Sequence, residues 1–207
     1  MVINDDIYKK VSKMKKEALL DGVPIMQDDT IDFITDFIVS RNVRNVLEIG
    51  SAVGYSAIMM ALSSCDVNVV TVERDNERYL KALRNIKDFG LESRITLVFN
   101  DALNVSFKKK FDLIVIDAAK GKNKDFFLRF IDNLDIDGAV ITDNINFHGL
   151  TKVDERTLSR NVRGLVRKIS DYVDFLKSSS LYETRFYDLG DGISVTERSD
   201  FDGDSGK

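Results

Sequence analysis

The chain has 207 residues, a length that fits one folded domain with a substantial hydrophobic core. Hydrophobic residues make up 43% and charged residues 31%, which is the composition of an ordinary globular protein. The formal net charge of −4 excludes a whole-molecule attraction to nucleic acid, so such binding would need a local basic patch. The single cysteine, Cys65, excludes a disulfide framework within the chain, and we expect a buried, inert thiol in a reducing compartment.

The N-terminal segment carries acidic residues and no apolar stretch, so it does not resemble a signal peptide. No apolar run approaches the roughly 20 residues that are needed to span a bilayer. We therefore expect a cytoplasmic protein with no membrane partner.

The hydrophobic pattern predicts two N-terminal helices, over about residues 4–20 and 29–41, with a loop at Pro24 between them. Five strands are predicted next, at 45–50, 67–73, 95–99, 111–117 and 138–143, and helical patterns follow most of them, at 54–64, 75–89, 122–134 and 151–177. Continuous apolar strands separated by helices indicate a parallel sheet that is covered on both faces. Two last runs, 181–189 and 192–198, predict an antiparallel hairpin that closes the sheet edge.

These elements predict one Rossmann-like α/β domain over residues 1–207. It would comprise N-terminal helices (1–42), an α/β core (43–198) and a frayed polar tail (199–207). In such sheets ligands bind outside the carboxyl ends of the strands.

The loop after the first predicted strand, Glu48-Ile-Gly-Ser-Ala-Val-Gly54, differs from the GxGxxG of dinucleotide enzymes. We expect Gly50 to allow a sharp turn close to a ligand, and Gly54 to let the following helix approach the same ligand. The acid at Glu48 would repel a pyrophosphate and suits a cation. The loop therefore favours the sulfonium and amino group of S-adenosylmethionine over NAD.

Two more acids follow the next two strands. Glu73 ends the second strand, where a carboxylate can accept hydrogen bonds from both hydroxyls of a ribose. Asp101, after the third strand, is placed to accept a hydrogen bond from an adenine amino group. Each acid alone could equally be a helix cap or a turn residue, but three at consecutive strand ends predict a cofactor site.

Oxygen ligands follow the fourth and fifth strands. Asp117 ends the fourth strand, and Asp143 and Asn144 end the fifth, so we expect the three side chains to converge. Carboxylate and amide oxygens suit Mg²⁺ or Mn²⁺, which lowers the pKa of a coordinated hydroxyl. Lys120 is close enough in sequence to act as a base or to stabilise an oxyanion. The alternatives are a solvated loop lysine and a pair of turn residues at 143–144.

The segment VLEIGSAVGYSAIMMA, residues 46–61, resembles the first motif of the catechol and caffeoyl-CoA O-methyltransferases, and the resemblance extends from Pro24 to about Val195. It implies a mostly parallel seven-stranded sheet of order 3-2-1-4-5-7-6 and often a homodimer. It also implies cofactor contacts from Glu48, Gly50, Ser56, Glu73, Asp101 and Asp117, a metal bound by Asp117, Asp143 and Asn144, and catalysis by Lys120 with Asp117.

Within that family, the segments VPIMQDDT, RNVRGLVRKI and LGDGISVTER resemble a bacterial branch that methylates 5-hydroxyuridine at the tRNA wobble position to 5-methoxyuridine. Two features depart from the catechol enzymes: Ala52 stands where they carry an aromatic residue, and the chain has no tryptophan. We expect tRNA, bound at its anticodon region, as the acceptor. A small catechol or caffeoyl-CoA-like acceptor is the alternative. A non-catalytic scaffold is a third hypothesis, which the intact set of metal ligands disfavours.

A row of basic side chains is predicted on one face of the helix over 151–177, and its members are Lys152, Arg156, Arg160, Arg163 and Arg167. A solvated face that pairs with nearby acids is the simplest interpretation. A concentrated arginine row in an acidic protein is also typical of local phosphate binding. Phe147 and His148 could stack on a flipped base, or pack within their loop.

Overall fold

The computed structural model describes residues 5–118, 120–146, 149 and 153–199, with Lys120 and Glu155 described by their backbone alone. Seven strands form one sheet: β1 (Asn45–Ile49), β2 (Asn68–Glu73), β3 (Ile95–Phe99), β4 (Phe111–Ile116), β5 (Leu134–Thr142), β6 (Tyr182–Tyr187) and β7 (Ile193–Arg198). Their order is β3-β2-β1-β4-β5-β7-β6. The first five strands are parallel, and β7 pairs antiparallel with β5 and β6. The predicted fold and strand order are confirmed.

Six α-helices surround the sheet: α1 (Asp5–Leu20), α2 (Asp28–Ser40), α3 (Tyr55–Ser63), α4 (Asn76–Asp88), α5 (Asn123–Phe130) and α6 (Arg160–Ser178). Short 3₁₀ helices lie at Ala102–Asn104, Lys120–Lys122, Ile131–Asn133 and Glu155–Thr157. Among the helices that the structure describes, none combines the length and the apolar character needed to cross a membrane.

Two apolar clusters cover the two faces of the sheet. Val46 of β1 packs in the cluster that contains Ile34 of α2 and Ile58 of α3. Its neighbour Leu47 packs in the other cluster, with Tyr172 of α6. Because successive side chains of a strand point to opposite faces, β1 is buried on both sides. This is why the central strands are continuously apolar in sequence.

The long helix predicted over 151–177 begins only at Arg160. Ser159 is its N-cap, and the Ser159 hydroxyl accepts from the amide of Val162 at 3.4 Å. The preceding Glu155–Thr157 turn is a separate 3₁₀ helix, and the predicted helix residues 151 and 152 lie outside the described part of the chain. The cap at Ser159 sets the start of α6, and a prediction from apolar periodicity alone placed that start too early in the chain.

Two other sequence predictions also need correction. Strand β5 begins at Leu134 rather than at 138, because Asp135 and Asp137 flank the exposed Ile136 and interrupt the apolar run at the start of the strand. Cys65, predicted to be buried, is exposed and lies beyond the end of α3, with its Sγ 3.7 Å from Asp66 Oδ1.

Candidate functional site

A pocket of about 390 Å³ opens at the carboxyl ends of the parallel strands. Six residues predicted for the site line it: Gly50, Glu73, Asp101, Asp117, Asp143 and Asn144. The loop before α2, residues 24–27, forms another part of its wall. Parallel strands that lie side by side bring their carboxyl ends to one edge, and this is what gathers residues from five strand ends.

The loop between β1 and α3 is shaped by two glycines with left-handed backbone. Gly50 has φ 103°, and a Cβ there would lie 2.2 Å from the carbonyl oxygen of Asp117. Gly54 has φ 83°, and its Cβ would lie 3.3 Å from the side chain of Ala82 on α4. The space that each glycine leaves is thus filled by the protein itself. The left-handed φ of Gly50 agrees with the predicted sharp turn, and Gly50 lines the pocket, whereas Gly54 does not. The close approach of a ligand to these glycines stays a prediction.

Glu48 lies beneath this loop and does not line the pocket. It is fully buried, at 0% exposure, and its carboxylate accepts hydrogen bonds from the hydroxyls of Ser56 and Thr71. Burial raises the pKa of Glu48 to about 7, and the two hydroxyl hydrogen bonds oppose that rise. Ser56 is buried too and does not line the pocket. The predicted direct contacts of Glu48 and Ser56 with a cofactor find no support in this placement.

Glu73 forms part of the pocket floor at 6% exposure. Its carboxylate accepts from three backbone amides, those of Ala52 at 2.9 Å and of Arg74 and Asp75 at 2.8 Å each. These donors fix its orientation, and a carboxylate has about four acceptor positions, so one remains for a ligand hydroxyl. The backbone amide of Ala52 can donate because Ala52 has a left-handed φ of 45°, and no sequence pattern predicted this conformation.

Asp101 combines the two roles that the sequence left open. It caps the 3₁₀ helix that follows β3, since its Oδ1 accepts from the Leu103 amide at 3.0 Å, and it also lines the pocket. That hydrogen bond, with the nearby cations Lys122 and Arg74, holds the pKa of Asp101 below its usual value. Asp101 is therefore a charged hydrogen-bond acceptor in the pocket. Arg74, 3.4 Å from Asp101, also lines the pocket and was missed at the sequence level.

The ends of β4 and β5 meet on the other side of the pocket. The Asp143 amide donates to the Ile116 carbonyl at 3.0 Å, which holds the two ends together. The side-chain nitrogen of Asn144 donates to Asp117 Oδ1 at 3.1 Å. Asp143 Oδ1 accepts from the backbone amide of Asn144 at 2.7 Å, and Asn144 has a left-handed φ of 62°. The predicted convergence of Asp117, Asp143 and Asn144 is therefore present.

This trio offers two carboxylates and one amide oxygen, a donor set that suits a hard divalent cation. The part of the chain that the structure describes contains no cluster of three or more His, Cys, Asp or Glu side chains arranged for a metal. Only two of the three candidate ligands are carboxylates. For coordination, Asn144 would present its amide oxygen in place of the nitrogen that now donates to Asp117. The residues fit a cation in chemistry and in location.

Four predicted residues of this side lie wholly or partly outside the described residues. Lys120 opens the 3₁₀ helix Lys120–Lys122, three residues after Asp117, but its side chain is outside the described residues. His148 and Lys152 lie outside them entirely, as does Phe147. Their predicted roles stay predictions.

Helix α6 borders the pocket region. A Cβ at Gly121, in the Lys120–Lys122 segment, would lie 3.1 Å from Leu165 of α6. Arg160 and Arg167 are exposed on α6, whereas Arg163 is partly buried and donates to the Leu158 carbonyl at 3.2 Å. Arg156 lies in the separate 3₁₀ helix, 3.8 Å from Asp154. A single helical row of four arginines is therefore wrong, and the exposed pair on α6 is Arg160 with Arg167.

Comparisons with known proteins agree with this fold. A sequence model of a family described as O-methyltransferase matches residues 4–199. The chain is 25% identical to a caffeoyl-CoA O-methyltransferase of Populus kitakamiensis over 194 residues, covering 89% of this chain and 82% of that one. A solved structure from Staphylococcus aureus, provisionally named a caffeoyl-CoA O-methyltransferase, is similar at TM-score 0.87 and 34% identity, covering 91% of this chain and 92% of the other. An O-methyltransferase of Bacillus cereus in complex with SAH shares the fold at TM-score 0.81 and 21% identity, covering 96% and 94% of the two chains.

Proposed function

Since the chain belongs to the O-methyltransferase family and is an S-adenosylmethionine-dependent enzyme of that family, we propose that it methylates a hydroxyl oxygen with the help of a divalent cation. One observation carries the proposal: a single pocket has Glu73 and Asp101 on one side and Asp117, Asp143 and Asn144 on the other. A methyl donor on the first side and a methyl acceptor on the second side would lie next to each other.

The donor side is built from fixed hydrogen-bond acceptors. The carboxylate of Glu73 is held by three amides and faces the pocket, which suits a ribose hydroxyl. Asp101 stays ionised and suits the amino group of an adenine. Apolar residues of the wall, Ile25, Met26 and Phe126 among them, can cover the flat faces of such a base.

The acceptor side would hold Mg²⁺ or Mn²⁺ through Asp117, Asp143 and Asn144. When bound, the cation lowers the pKa of a coordinated hydroxyl and so helps to supply a nucleophilic oxygen. The backbone hydrogen bond from Asp143 to Ile116 and the Asp143–Asn144 contact hold these ligands at the tips of β4 and β5. In the transfer, an O–C bond would form as the S–C bond of the donor broke, and sulfur would keep the electron pair. Lys120 would take the hydroxyl proton as a neutral amine or, if charged, stabilise the oxyanion.

For the acceptor we propose 5-hydroxyuridine at the wobble position of tRNA. The support is the exposed pair Arg160 and Arg167 on α6, because α6 packs beside Gly121 in the segment that follows Asp117. Guanidinium groups on a helix that contacts this segment suit backbone phosphates, although neither arginine lines the pocket itself. The second candidate is a small catechol or caffeoyl-CoA-like compound, which the names of the relatives favour. The homodimer and the cytoplasmic location remain predictions.

Labelled methyl transfer tests the proposal. The protein is incubated with Mg²⁺, methyl-labelled S-adenosylmethionine, and either tRNA that lacks 5-methoxyuridine or a panel of catechol and caffeoyl-CoA. We expect label at the wobble uridine of tRNA, in an amount that falls steeply with salt. Label in the small phenols alone would favour the second candidate, and label in neither, with the donor bound, would contradict the proposed activity.

A further inference from the structure

The turn between β6 and β7, residues 188–192, contacts two walls of the pocket that come from distant parts of the chain. On one side the Gly190 amide donates to Asp29 Oδ2 at 2.8 Å. Asp29 lies in the first turn of α2, two residues after Gln27, which lines the pocket. The turn therefore anchors the start of α2 and the wall formed by residues 24–27.

On its other side the same turn holds the segment that continues from Asn144. The Ile145 amide donates to the Gly192 carbonyl at 3.0 Å, and the Asn146 amide donates to the Asp191 carbonyl at 2.8 Å. The side-chain nitrogen of Asn146 donates to Asp188 Oδ1 at 3.1 Å. Three hydrogen bonds thus fix the two residues that directly follow a candidate metal ligand.

The turn packs closely against both walls, so its two glycines, Gly190 and Gly192, have no space for a side chain. A Cβ at Gly190, whose φ is 53°, would lie 2.4 Å from Thr30 Oγ1 on α2. A Cβ at Gly192, whose φ is 81°, would lie 2.4 Å from Asn146 Nδ2. The two glycines allow backbone to touch both neighbours, so a movement of either wall is transmitted to the other.

We propose that the turn 188–192 is a positioning element, which sets the location of Asn144 relative to the 24–27 wall and thereby the affinity of the cation site. Its residues do not line the pocket, so it acts through Asn146 and Asp29. The part that concerns the cation rests on the proposed function. Removal of a group that orients a metal ligand without touching the metal commonly lowers metal affinity by about 10–100-fold.

The test removes two side-chain contacts of the turn in the full chain, as Asp29→Ala with Asp188→Ala. Both side chains are exposed, so the fold should persist. The matched control is Asp36→Ala with Asp174→Ala, which removes the same charge from two exposed sites on α2 and α6. Three properties are measured: hydrogen exchange of the 143–146 amides, Mn²⁺ affinity by calorimetry, and S-adenosylmethionine affinity by calorimetry.

In the double variant we expect faster exchange at 143–146, Mn²⁺ affinity weaker by about tenfold, and donor affinity within about twofold of the unaltered protein. The control should match the unaltered protein in all three. Unchanged exchange, or faster exchange with unchanged Mn²⁺ affinity, would overturn the positioning role. If the unaltered protein itself binds no Mn²⁺, the cation part of the proposed function fails, and exchange together with the KM for the acceptor then decides whether the turn positions this wall.

Discussion

The side-chain nitrogen of Asn144 lies 3.1 Å from Asp117 Oδ1, although the two residues are 27 positions apart in the chain. They meet because β4 and β5 are parallel neighbours and both end at the pocket. Asp143 directly precedes Asn144 in sequence, and all three residues line the same pocket. Among the residues that the structure describes, the two strand tips therefore supply the oxygen ligands of the acceptor side.

Replacing Gly50 with alanine should destabilise the fold. Its Cβ would meet the Asp117 carbonyl at 2.2 Å, and its φ of 103° is unfavourable for any other residue. We expect a loss of about 2–4 kcal/mol in the free energy of unfolding, measured by urea denaturation. Gly164→Ala is the matched control, because no atom lies within 4 Å of a Cβ at that helical site. The control should gain up to about 1 kcal/mol, and equal stability of the two variants would refute the steric argument.

Glu48 should make stability fall as pH rises. Its pKa is raised from 4.5 to about 7 in the folded protein. Between these two pH values the folded state therefore holds a proton that the unfolded state has lost. The free energy of unfolding should then decrease by about 1.4 kcal/mol per pH unit between those two values and level off above the folded pKa.

The variant Glu48→Gln removes this titration and keeps the shape of the side chain. Urea unfolding of both proteins from about pH 5 to about pH 8 should give a flatter dependence for the variant. Its relative stability should be greatest at the alkaline end, where the parent holds a buried charge. Parallel curves for the two proteins would show that Glu48 does not titrate in this window.

Glu73→Ala should weaken the binding of S-adenosylmethionine. The carboxylate offers its remaining acceptor position to the pocket, and loss of a buried polar partner costs about 1–3 kcal/mol. Glu92→Ala, at an exposed site outside the pocket, is the control. Calorimetric affinity should fall only in the Glu73 variant, and an unchanged value there would remove Glu73 from the donor site.

Exchanging Arg160 and Arg167 for glutamine should weaken tRNA binding and flatten its salt dependence. Each lost phosphate contact lowers the slope of log affinity against log salt by about 1. Arg163 is left in place because it is partly buried and bonded to the Leu158 carbonyl. The control exchanges two exposed lysines of α1, Lys9 and Lys16, for glutamine and removes the same charge. Equal slopes for the two variants would place the RNA on another surface.

The sheet could be predicted because its central strands are buried on both faces. Val46 and Leu47 pack in opposite clusters, which produces the continuous apolar runs that the sequence displays. At the start of β5 this signal is interrupted, because Asp135 and Asp137 flank Ile136, which is itself 70% exposed. The start of α6 was misplaced since periodicity cannot register the capping hydroxyl of Ser159.

Glu73, Asp101, Asp117 and Asp143 line the pocket as predicted, whereas Glu48 does not, and the environments of these acids were not predictable. Whether Glu48 faces a ligand or lies beneath the loop depends on hydroxyl donors from α3 and β2, namely Ser56 and Thr71. The turn 188–192 could not be linked to the site either, because its contact with Asp29 spans 161 positions. Such long-range hydrogen bonds leave no trace in local composition or periodicity.

The most direct test of the account is whether methyl transfer depends on a cation held by Asp143. Labelled-methyl transfer to the acceptor is measured for the unaltered protein, for Asp143→Ala and for the control Asp135→Ala, an exposed site at the far end of β5. Each protein is assayed after chelation and again after Mg²⁺ is restored. We expect transfer by the parent and the control to vanish and return, and Asp143→Ala to bind the donor but stay at least about 100-fold less active. Full transfer by chelated parent protein, or by Asp143→Ala, would contradict the central claim.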